Sequence, residues 1–174
     1  MTAAAVPPSG CAPGPSPAAL AAVQSLIPAA PAAAVPFGDV MRMPVHFDDL
    51  DALGMLHNAR YAVLVERAVV QWWTARGVSF AGGRPTTPDA FNVIREYSIT
   101  FHRPVLGTGD IDVHFWLERL GSTSADYHFQ LTSTDGATVF AEGRRVNVRV
   151  DPATMRPAAW TDEGREAAAT LLRD

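Results

Sequence analysis

The polar cluster best placed to do chemistry is Phe47-Asp48-Asp49-Leu50-Asp51-Ala52-Leu53-Gly54-Met55-Leu56-His57-Asn58. Three carboxylates and a glycine stand there, just ahead of a segment with helical periodicity. The first amide N–H groups of a helix lack intrahelical acceptors and attract developing negative charge. A carboxylate beside such an end meets the needs of acyl transfer, a nucleophile or base next to an oxyanion site. The plainer reading is an acidic loop that caps a helix, because acids favour helix starts.

Other chemistries fail on spacing. Asp49-Leu50-Asp51 opens like a calcium loop, but Leu53 stands where the third ligand belongs. His46, Asp48, Asp51 and His57 complete no metal-ligand spacing, so no metal and no cofactor is expected. Gly107-Thr108-Gly109 lacks the third glycine of a dinucleotide fingerprint. Gly77-Val78-Ser79 has Ala81 in place of the second glycine of a nucleophile elbow.

The elements around the acidic stretch are legible. Val40 to Phe47 reads as a short strand, with Pro44 marking an edge or an end. Asn58 is placed to cap a helix beginning near Ala59. Tyr61, Leu64, Val65, Ala68, Val69, Trp72 and Trp73 then recur at helical spacing, and Gly77 is a natural stop. Apolar over more than one face, this helix should be deeply buried. A Gly/Pro-rich loop covers 78–90, and four strands are expected after it. Tyr97, Ile99 and Phe101 alternate in the first; Ile111, Val113, Phe115 and Leu117 in the second; Tyr127, Phe129 and Leu131 in the third. Asp135-Gly136 signals a hairpin. In the last strand Val146, Val148 and Val150 should face inward and Arg145, Asn147 and Arg149 outward, with Gly143 marking a bulge. A C-terminal helix near 161–173 follows, capped by Thr161. The expected fold is α+β, an antiparallel four-strand meander added to one strand and wrapped around one long central helix.

Composition narrows the function classes. The chain has 174 residues, a formal net charge of −4, and 14 basic residues that are all arginine. Without lysine, Schiff-base chemistry and a phosphate-loop lysine are excluded. The acidic balance argues against nucleic acid as a partner. One cysteine, Cys11, allows no internal disulfide and fits a reducing, cytoplasmic compartment. Residues 1–36 carry no charge, and Ala and Pro fill 21 of those positions. That stretch reads as a disordered or polyproline-like tail ahead of a domain over 37–174. Its apolar core from Leu20 to Ile27 is too short to span a membrane.

The run Asp49-x-Asp51-x-x-Gly54-x-x-x-Asn58-x-x-Tyr61, followed by Glu66, resembles hotdog-fold acyl-CoA thioesterases of the 4-hydroxybenzoyl-CoA thioesterase type. The resemblance extends over roughly 40–160, through Tyr97 to Pro104, Gly107 to Asp110 and Ala141-Glu142. It implies a metal-free thioesterase acting on acyl-CoA or acyl-carrier-protein thioesters. Asp51 takes the catalytic position, as nucleophile or as general base on water. An amide near Asn58 polarises the carbonyl, a contribution of about 3–4 kcal/mol in other enzymes. Glu66 is the reserve catalytic carboxylate, since another branch of the fold uses a helix glutamate; its plainer role is an ion pair with Arg67 or Arg103. Gly54, Met55, His57, Tyr61 and Arg103 are the expected substrate-binding residues, and Arg145 and Arg149 are candidates for the coenzyme A phosphates. Met55 and His57 depart from the family pattern, which keeps open a non-catalytic acyl-CoA-binding module. A hotdog dehydratase or hydratase is a third class, disfavoured by the paired aspartates. The resemblance also implies a homodimer, or a tetramer built from dimers, with the site at the subunit interface.

Overall fold

A computed structural model describes residues 35–80 and 83–173. The Ala/Pro-rich stretch, up to residue 34, and Cys11 lie outside the described residues. Five strands form one antiparallel sheet: β1 (Asp39–Val45), β2 (Asn92–Phe101), β3 (Gly109–Leu120), β4 (Ser124–Thr132) and β5 (Val139–Arg149). Helix α1 (Asn58–Thr74) lies between β1 and β2 in sequence, and α2 (Asp162–Ala169) closes the chain.

The spatial order is β1-β3-β4-β5-β2. Only β3, β4 and β5 form the expected meander. β2 crosses to the far side and pairs with β5, Tyr97 opposite Arg145 and Phe101 opposite Ala141. The near side of β3 is already taken by β1, with Met43 opposite Ile111. Both β1, which contains Pro44, and β2 are edge strands.

The alternation read from the sequence holds for β3 and β4. Ile111, Val113, Phe115 and Leu117 are buried, as are Tyr127, Phe129 and Leu131. Helix α1 is 17 residues long and sets Tyr61, Leu64, Val65, Ala68, Val69 and Trp72 into the same core, against β1 and β3. Helix α2 packs on β3, and Thr161 caps it by accepting the Gly164 amide at 3.0 Å.

β5 corrects the sequence reading twice. Arg145 and Asn147 do not face outward; both are buried, and Arg145 stands in register between Tyr97 and Tyr127. Val146 and Val150 on the opposite face are buried as well, so both faces of this strand are covered. Gly143 marks no bulge. It pairs in register with Ile99 and Phe129, and the register shifts against β5 fall between Leu131 and Thr132 and between Ile94 and Glu96. A Cβ at Gly143 would meet the Phe129 ring at 2.5 Å and press on the Ser98 carbonyl, so glycine is there to let the ring lie against the strand.

Candidate active site

Residues 49–57 fold as a miniature antiparallel ladder. The His57 amide donates to the Asp49 carbonyl at 2.9 Å, and the Asp51 amide donates to the Met55 carbonyl at 2.7 Å. Leu50 and Leu56 form the bridge between them. Ala52-Leu53-Gly54 is the connecting loop, and Gly54 closes it with φ of +72°. Three-residue hairpin loops favour glycine at that left-handed position. The return strand pairs in turn with residues 105–107: the Leu56 amide donates to the Val105 carbonyl at 2.9 Å, and the Gly107 amide to the Gly54 carbonyl at 2.9 Å. Asp51 is therefore carried on a braced hairpin.

Each carboxylate has its own task. Asp49 is 2% exposed. Its Oδ2 accepts the His46 amide at 2.9 Å, and its Oδ1 lies 3.4 Å from the Arg60 guanidinium. Arg60 also reaches the Asp48 carbonyl at 3.2 Å, tying the short turn Phe47–Asp49 to the helix. Asp51 Oδ1 accepts the amides of Leu53 at 2.8 Å and Met55 at 3.1 Å. These bonds fix the carboxylate through one oxygen. Asp48 is exposed.

The helix start differs from expectation. α1 begins at Asn58, and the cap is His57, whose Nδ1 accepts the Ala59 amide at 3.2 Å. The Asn58 side chain adds a bond of its own to that amide at 2.9 Å. The Asn58 backbone N–H donates to no acceptor among the described residues. Tyr61 is buried one turn later, and its hydroxyl accepts the Val105 amide at 3.3 Å. Burial raises the Tyr61 pKa, and the Val105 bond partly offsets that.

The hairpin thus gathers Asp51, Gly54, Met55, His57 and Asn58, with Tyr61 bound to its bracing strand. Arg103 lies just ahead of that strand with its side chain exposed. Glu66 is elsewhere, two turns along α1. It pairs with neither Arg67 nor Arg103 but with Arg145, at 2.6 Å. With β5 turned as described, Arg145 meets the helix instead of solvent, which removes it from the exposed groups able to meet a phosphate. Arg149 is spoken for too, 3.0 Å from the buried Asp89. Among the described residues no cluster of three or more His, Cys, Asp or Glu is arranged to hold a metal ion. Sequence reasoning missed Arg60 and the 105–107 strand; no local pattern announces a brace from residues so distant.

A 17-residue helix laid on an antiparallel sheet, with an acidic hairpin at its N-terminus, is the layout of a hotdog thioesterase. Residues 45–168 match the family model described as the thioesterase-like superfamily, and the chain belongs to that family. The PA5185 protein of Pseudomonas aeruginosa is 25% identical, with a TM-score of 0.69 over 79% of this chain and 94% of that one. A Thermus thermophilus thioesterase, solved with coenzyme A and Zn, is also 25% identical, with a TM-score of 0.63 over 78% of this chain and 94% of that one. A Synechocystis 1,4-dihydroxy-2-naphthoyl-CoA thioesterase shares the fold, with a TM-score of 0.67, 13% identity, and coverage of 76% and 96%. No curated protein sequence matches this chain.

Proposed function

We propose that this protein hydrolyses acyl-CoA thioesters, with Asp51 as the reacting carboxylate. The carrying observation is the hairpin geometry. Asp51 is anchored through Oδ1 by two amides, while Oδ2 has no hydrogen bond among the described residues. The return strand leads directly into the helix end, where the Asn58 amide is open to a carbonyl oxygen. Oδ2 can attack the thioester carbon, giving a mixed anhydride and coenzyme A thiolate, which water then resolves. Alternatively it takes a proton from water, which attacks the same carbon. Both routes end in a free acid and coenzyme A, and both place the oxyanion on the helix amide. Gly54, Met55, His57, Tyr61 and Arg103 line the approach in this reading.

The relative solved with coenzyme A supports the substrate class. Apolar side chains around the hairpin support a site completed by a second copy. Phe47, Leu53 and Leu106 are all more than two-thirds exposed. The β2 edge presents exposed Val93, Ile94 and Phe101 with unpaired backbone groups, a template for strand pairing. A homodimer paired along β2, or a tetramer of such dimers, covers this edge. The cytoplasmic location that the single cysteine suggests belongs to the same reading. No helix among the described residues is long and apolar enough to cross a membrane.

Free-thiol release from a panel of acyl-CoA esters tests the proposal. The wild type should turn over at least one ester, and Asp51→Asn should lose about 10²-fold or more. Turnover that survives Asp51→Asn but fails in Glu66→Gln moves the chemistry to the helix. A folded protein that releases no thiol from any ester points to a carrier-protein thioester or to the acyl-CoA-binding module.

A further inference from the structure

The join between the hairpin and α1 runs through one histidine, held at three points. The His57 amide donates to the Asp49 carbonyl at 2.9 Å, which ties it to the hairpin. Its Nδ1 accepts the Ala59 amide at 3.2 Å, and its carbonyl accepts the Arg60 amide at 2.8 Å, which tie it to the helix. These bonds close around the His57–Asn58 peptide, whose N–H has no acceptor among the described residues. That N–H is the donor the oxyanion needs, and the His57 ring fixes the turn that carries it.

A ring nitrogen that accepts a hydrogen bond carries no proton. The neutral ring therefore holds its hydrogen on Nε2. The residue is exposed, so solvent protons reach it. Protonation adds a hydrogen to Nδ1, and two donors then face each other across 3.2 Å. A cation is also disfavoured at a helix N-terminus. The charged and titratable groups around it are His46, Asp48 and Asp49 on the preceding turn, Asp51 on the hairpin, Arg60 on α1 and Arg103 ahead of the bracing strand. Asp49 is spent on the His46 amide and Arg60, and Asp51 Oδ1 on two amides of its own loop, and neither carboxylate forms an ion pair with His57. The Asn58 side chain, 2.9 Å from the Ala59 nitrogen, keeps that amide bonded, so the helix start is loosened and not unfolded. An asparagine at 57 would cap through an uncharged oxygen at every pH; histidine makes the cap conditional on charge.

We infer that His57 is a positioning residue, a neutral imidazole whose Nδ1 lone pair aims the Asn58 amide at the thioester carbonyl and lets it go on protonation. Its chemistry rests on the Asp51 reading; its geometry does not.

Two readouts on the full-length protein test this. In nitrogen-edited NMR the neutral His57 ring should carry its proton on Nε2. The Asn58 and Ala59 amide signals should move together with that ring between about pH 8 and about pH 5, the range in which histidines change charge. In His57→Asn those amide steps should vanish. In thiol release, wild-type kcat should fall about fivefold or more over the same range while KM changes less than about twofold. The His57→Asn profile should be flat there, whatever its height, and His57→Ala, which has no cap, should have a lower kcat at pH 8 than His57→Asn. A merely structural histidine would leave the two profiles the same shape. The inference is overturned by a neutral ring protonated on Nδ1, by amide steps that persist in His57→Asn, by a wild-type profile with no acid limb, or by an acid limb that survives His57→Asn. A protein that cleaves no ester overturns the Asp51 reading instead, and the NMR titration then decides the role of His57 alone.

Discussion

Asp49 and Asp51 are two residues apart and do opposite things. Asp49 points into the fold and spends both oxygens on structure, while Asp51 spends one and keeps the other. Replacing Asp49 by alanine removes the acceptor for the His46 amide and the anchor for Arg60. A loss of about 1–2 kcal/mol is expected, by analogy with deleted helix caps, and chemical denaturation measures it. Gly54 is a cleaner test of backbone strain. Nothing lies within 4 Å of a Cβ built there, so any penalty comes from its φ of +72° alone. Valine should cost roughly 1–2 kcal/mol and asparagine much less, because asparagine tolerates the left-handed region. Equal losses for the two would mean that crowding, not conformation, keeps the glycine. At this scale the sequence was readable where spacing is local. The paired aspartates, the glycine and the helix start all lie within ten residues. Arg145 was not readable, because a period of two assigns its strand one apolar face. The Glu66 carboxylate that holds the guanidinium inside comes from a helix far away in sequence.

Between elements, the difference from expectation is where β2 goes. Alternation identifies a strand but not its neighbour, and both edges of the β3–β5 meander were open to it. Once β1 has paired with β3, the remaining partner is β5. The β5 backbone then has to pass close to the Phe129 ring, which accounts for Gly143. Gly143→Ala should destabilise the fold by about 1–3 kcal/mol, since the ring and the Ser98 carbonyl both occupy the space a methyl group needs. The neighbouring Ala141→Gly, which creates no clash, should leave the two effects distinguishable in a thermal melt. The crossing also leaves β2 as a long edge whose outer residues include exposed Ile94. If copies pair there, Ile94→Lys should shift the protein from dimer to monomer in light scattering, because a charged lysine on an edge strand opposes edge-to-edge pairing. An unchanged mass would exclude this edge as the interface.

For the molecule as a whole, the three tyrosines report on the integrity of the core. Burial raises the pKa of all three from an ordinary 10.0, and Tyr97 and Tyr127 are pushed up to about 12. Desolvation is the leading cause in each case; the Trp73 hydrogen bond and the Arg145 charge only partly offset it at Tyr127. Between about pH 10 and about 12 the folded chain therefore keeps protons that the unfolded chain has lost. The tyrosines' contribution to stability should be flat below pH 10 and fall as pH rises through that window. The chain contains no lysine, so no lysine ammonium titrates alongside the phenols. In an absorbance titration, phenolate should appear late and steeply, at the pH where circular dichroism reports unfolding, and near pH 10 in denaturant. A gradual native titration centred at pH 10 would mean that the core face carrying Tyr97 and Tyr127 is open to water.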